Sequence, residues 1–165
     1  MVPAPSHHDD GPSSAPSEQA EALADHLRPL LPLLGRWRTT GTVFDRQGDE
    51  AARIRGQDSW APLPGGRWIT HQSATRVGDR LVHVHQVIGG EHPDGGWQML
   101  AFEEGSMPEL TRLSDAGDGV MQVLGPGTRA TFQLPTRSHD PLLAHWERLV
   151  DGYWLPWLRV RYERV

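Results

Sequence analysis

The chain has 165 residues, a formal net charge of −5 with histidine neutral, 16 basic residues that are all arginine, and no cysteine. That length suits one domain with a single core, and the mild acidity argues against a partner bound through a phosphate backbone, which needs a basic stripe. Without cysteine there are no disulfides, thiolate zinc sites or thiol nucleophiles.

Residues 1–17 are rich in Pro, Ser, Ala and Asp and read as a disordered tail, too poor in apolar residues to offset the entropy of ordering. His7 and His8 in this stretch read as solvated side chains. The start has neither the positive charge nor the apolar run of a secretory signal. No segment approaches the roughly 20 apolar residues of a membrane span. The expectation is a cytoplasmic protein with neither nucleic acid nor membrane as partner.

Residues 18–165 read as one domain. Ser17 is a plausible helix N-cap, with Glu18 and Glu21 in the first turn, where the helix dipole favours acid. Leu23, Leu27, Leu30, Leu31 and Leu34 fall near one face. Pro29 and Pro32 predict that the regular helix stops near His26 or Leu27 and that an apolar turn follows, suited to plug a barrel end.

From Gly35 onward, short runs of Val, Ile, Thr, Trp and Leu alternate with Gly, Pro and Asp clusters. Strands are predicted at Trp37–Asp45, Arg53–Ala61, Arg67–Val77, Arg80–Gly89, Gly96–Glu103, Leu110–Ser114, Val120–Leu124, Arg129–Leu134, Leu142–Val150 and Trp154–Arg164. Turn chemistry such as Pro64-Gly65-Gly66, Gly78-Asp79 and Asp151-Gly152 separates them. About ten closely spaced strands with no intervening helix predict an all-β fold, a single antiparallel up-and-down barrel. Period two is clear on two runs. Val82, Val84 and Ile88 share a face with Gln86 as the exception, opposite Leu81, His83, His85 and Val87; Leu158, Val160 and Tyr162 oppose Trp157, Arg159, Arg161 and Glu163. Which face points inward is left open, because a ligand-holding lumen tolerates polar groups.

Three stretches resemble the calycin-type barrels: lipocalins, fatty-acid-binding proteins and nitrobindins. Gly35-Arg36-Trp37-Arg38-Thr39-Thr40-Gly41 resembles their G-x-W-x-x-x-G opening, in which Trp closes a barrel end and Gly lets the strand bend. Trp60 to Ile69 is similar to a hairpin of an uncharacterised bacterial lipocalin-like family, and Trp154 to Val160 resembles the last strand of nitrobindins. The resemblance spans about Leu27 to Val165 and implies a barrel that binds a small hydrophobic or amphipathic ligand. Nitrobindins hold haem through a His that precedes a Leu in this strand, but here Trp157 stands there, and indole offers iron no lone pair. No cofactor is therefore expected, and a haem or metal protein is the alternative reading, in which another His would have to substitute.

Candidate ligand-binding residues are His71, His83, His85, Met99, His145, Trp157, Arg159 and Arg161. His83-Val84-His85 puts two imidazoles on one strand face, a chelating arrangement, but its flanking Gly78 and Glu91 miss the spacing of the cupin motif, and no metal is expected. His71 or His145 facing the lumen would suit a general base in an isomerase or cyclase. Arg159 and Arg161 would suit a carboxylate if they faced inward; on the outer wall they are solvated charges. No G-x-S-x-G elbow, G-x-G-x-x-G or Walker pattern is present, so a hydrolase triad and nucleotide cofactors have no support.

Overall fold

The computed structural model describes residues 23–165. A 3₁₀ helix (Asp25–Leu33) precedes ten strands: β1 (Gly35–Phe44), β2 (Glu50–Pro62), β3 (Trp68–Val77), β4 (Arg80–Glu91), β5 (Trp97–Glu103), β6 (Glu109–Gly117), β7 (Val120–Leu124), β8 (Thr128–Gln133), β9 (Leu142–Val150) and β10 (Tyr153–Arg164). Each strand pairs antiparallel with its sequence neighbours, and β10 returns to pair with β1, closing the barrel. The closing seam runs from Trp37 opposite Arg164 to Val43 opposite Leu158. All ten predicted strands are present, with ends shifted by a few residues at most. The predicted tail and most of the predicted helix from Ser17 lie outside the described residues.

The segment after His26 differs from its prediction. Instead of an apolar turn, it continues as 3₁₀ helix through both prolines. The reason is its period: Leu27, Leu30 and Leu33 are buried and three residues apart, the repeat of a 3₁₀ helix, while Pro29 and Pro32 fall beside that stripe.

This helix plugs one barrel end, and three side chains fasten it. Trp37, fully buried, donates its indole N–H to Leu33 O at 2.8 Å. Trp97 donates to His26 O at 2.9 Å. The Arg164 guanidinium donates to Leu34 O at 2.7 Å and Pro32 O at 2.8 Å, and it lies 4.3 Å over the Trp37 ring. Helix carbonyls that lack intrahelical partners are thus satisfied from the barrel wall. Gly35 has φ +123°, and a Cβ there would lie 2.8 Å from the Arg164 guanidinium, so glycine suits both the backbone and the latch.

Pairing of the last strand corrects the expected alternation. Pro156 pairs with Glu147 and Leu158 with Trp146, which leaves Trp157 as the extra residue of a β-bulge. Trp157 therefore turns to the lumen side along with Leu158, although strict alternation groups it with Arg159 and Arg161.

Trp37→Ala is expected to cost about 3–5 kcal/mol, from cavity formation and loss of the buried indole hydrogen bond. Arg164→Ala, a partly exposed latch, should cost about 1–2 kcal/mol. Urea denaturation of each variant measures both.

Candidate functional site

Inward positions toward the helix end are large: Trp37, Trp60, Ile69, Ile88, Leu113, Met121 and Phe132 are buried there. Under the floor formed with Leu33 and Met99, only about 10 Å³ of space remains. Toward the opposite end the inward positions are small or absent. Gly41 and Gly56 carry no side chain, and a Cβ on either would collide with the neighbouring strand's backbone. Ser73, Thr75 and Ala101 are the small inward side chains that border open space. The result is a cavity of about 460 Å³ that opens between the β1–β2, β3–β4, β5–β6, β7–β8 and β9–β10 connections. That volume suits a small organic ligand.

The walls are mainly apolar: Val43, Ile54, Val77, Val82, Val84, Ala101, Leu158 and Val160, with Trp146 and Trp157 on one side. Those two rings meet edge to face, centroids 6.5 Å apart, and Phe132 supports Trp146 at 5.7 Å.

A polar cluster interrupts the apolar wall at the deep end. Asp58 is 4% exposed and accepts from the Thr39 hydroxyl through Oδ2. Its Oδ1 lies 2.7 Å from His71 Nε2, and His71 Nδ1 lies 2.8 Å from Gln86 Oε1. Trp60 stacks on the His71 ring, centroids 3.8 Å apart at 14°. Nδ1 either donates to the Gln86 carbonyl oxygen or, with that amide rotated by half a turn, accepts from its nitrogen, while Nε2 faces Asp58. In either case both nitrogens are engaged. Tyr162 completes the cluster, and burial, then the charge of Asp58, raises its pKa above the ordinary tyrosine value. Its hydroxyl stays protonated, a neutral donor at the cavity wall.

Of the residues singled out from the sequence, His71, Met99 and Trp157 line the cavity. His83, His85 and His145 are exposed on the outward faces of β4 and β9. Arg159 and Arg161 are exposed on the outside of β10; Arg159 lies 5.5 Å over the Phe44 ring, and Arg161 joins Glu163, itself paired with Arg38 at 2.8 Å. The reason is alternation: Val84, Gln86, Val160 and Tyr162 take the inner positions, so their neighbours face solvent. Unpaired guanidinium groups are also far cheaper to keep in water.

Sequence reasoning missed Thr39, Asp58, Gln86 and Tyr162. One signal was present: Gln86 is a polar residue set between Val84 and Ile88 on the apolar face of β4. A polar group at a core position points to a buried partner, and His71 is opposite it in the β3–β4 register.

These residues do not fit haem or a metal. His71 is the one cavity-lining histidine among the described residues, and neither of its nitrogens has a lone pair directed at the lumen. Among the described residues, no three His, Asp or Glu side chains are grouped to hold a metal ion. The same engagement of both nitrogens removes His71 as a free general base.

Asp58→Asn and His71→Gln should each cost about 2–4 kcal/mol, because each leaves a buried polar partner unsatisfied. A double-mutant cycle between them should give a coupling of at least about 1 kcal/mol. Additive losses in urea denaturation would mean that the pair does not act as a unit.

No protein-family model matches the chain, and no curated protein matches it. Among solved structures, the chain is similar to Rv2717c from M. tuberculosis, with a TM-score of 0.65 at 19% identity, covering 87% of this chain and 99% of that one. A protein with unknown function from the DUF3598 family of Nostoc punctiforme aligns at 10% identity over 87% of this chain and 100% of that one, with a TM-score of 0.26, too low to bear on the fold. The likeness to Rv2717c concerns the fold alone, and a closed ten-strand antiparallel barrel fits a calycin-like class.

Proposed function

We propose that the protein binds a small hydrophobic or amphipathic molecule inside its barrel. The observation that carries this reading is the open cavity of about 460 Å³, apolar along its walls and hydrogen-bonding at its deep end. Apolar walls supply non-directional affinity, and a few fixed polar groups orient what enters. The Asp58–His71–Gln86 chain is already satisfied internally, so its role is to hold the deep end rigid and polar. The Tyr162 hydroxyl is a donor available to a ligand. No turnover is assigned to this site.

A neutral fluorescent probe such as phenylnaphthylamine should bind the full chain with one-to-one stoichiometry and quench tryptophan emission, since Trp146 and Trp157 line the cavity. Ala101→Phe places a ring in the lumen and should weaken that binding at least about 10-fold while the barrel still folds. Probe binding unchanged by Ala101→Phe would place the probe elsewhere and count against lumen binding.

A further inference from the structure

The charges that line the cavity point to the class of ligand. Three carboxylates line it, Asp58, Glu103 and Glu109, against Arg80 and, when protonated, His71. Carboxylates therefore outnumber cations in either form of His71. Asp58 is already engaged by Thr39 and His71. Glu103 and Glu109 are not: no ion pair joins either of them, or Arg80, to a described residue. Glu109 accepts only a 3.3 Å hydrogen bond from Thr128.

Register brings the two glutamates together at the mouth. Glu109 pairs with Ala101 across β5–β6, and Glu103 lies two residues beyond Ala101 on the same inward face. Such diagonal neighbours stand roughly 7–8 Å apart, close enough for one cation to face both. Arg80 sits elsewhere on the rim: Glu103 pairs with Val84, and Arg80 lies four residues from Val84, about 13 Å along the strand.

We propose that the cavity takes an amphiphile with a cationic head, a primary or quaternary ammonium, seated at the mouth by Glu103 and Glu109 with its apolar tail along Val82, Val84 and Leu158. This rests on the lumen-binding reading above and adds the sign of the head group. At a mouth open to water the cation keeps part of its hydration, so pairing does not carry the full desolvation penalty of a buried ion pair. A carboxylate head would meet two like charges there, and such juxtaposition is what excludes wrong partners. At the deep end, Tyr162 is neutral and offers an anion no compensating charge.

The test titrates the full chain with decyltrimethylammonium, decanoate and decanol, each below its aggregation threshold, following tryptophan fluorescence. The ammonium should bind at least about 10-fold tighter than decanoate. Added salt should weaken its binding and leave decanol unaffected. The double variant Glu103→Gln/Glu109→Gln changes two rim side chains and should bring ammonium and carboxylate within about 3-fold of each other, with decanol affinity unchanged. Decanoate binding as tightly as the ammonium, or a preference that persists in the double variant, overturns the cation assignment and leaves lumen binding standing. Failure of all three compounds to bind overturns lumen binding, and the cation assignment with it.

Discussion

A closed sheet of ten strands has a girth set by strand number and stagger, and its side chains must either fill that girth or leave a hollow. This chain does both, at different depths. Toward the helix end the inward positions hold Trp37, Trp60, Ile69, Ile88 and Met121, and the interior is packed. Toward the other end, Gly41 and Gly56 replace side chains with bare backbone where neighbouring strands approach closely, and Ser73, Thr75 and Ala101 add little bulk. The cavity is the volume left beside the small side chains of Ser73, Thr75 and Ala101, while the packed half and its helical plug keep the barrel in one shape.

The polar cluster lies between the two halves. Removing Asp58 from water is costly, and a single partner would not offset that cost. Thr39 engages one oxygen, His71 the other, Gln86 holds the far side of the ring, and Trp60 covers its face. These four residues come from β1, β2, β3 and β4, so the network ties adjacent strands together as well as satisfying one carboxylate. It also governs the chemistry at the deep end: a histidine bonded on both sides is a fixed polar wall, and a tyrosine beside a carboxylate keeps its proton.

Much of the fold was legible in the sequence because it depends on local patterns. Period-two alternation, turn residues and the absence of helical stretches after Gly35 mark ten strands. Gly35, Trp37 and Gly41 mark how the first strand meets the plug. The site was less legible. His71, Met99 and Trp157 could be named from the sequence, but so could His83, His85, His145, Arg159 and Arg161, which point outward. Alternation sorts residues into two faces without saying which one is inside, and the bulge at Trp157 breaks even that sorting, since it arises from pairing with β9.

By itself, then, the amino-acid order determined the strands, their turns and the likeness to calycin-type barrels, all properties of neighbouring residues. Tertiary structure alone decided which face lines the lumen, that Asp58 meets His71 and Thr39, and that Glu103 and Glu109 share the mouth. Those outcomes depend on register and closure between residues distant in the chain, where a shift of one position exchanges the inside for the outside.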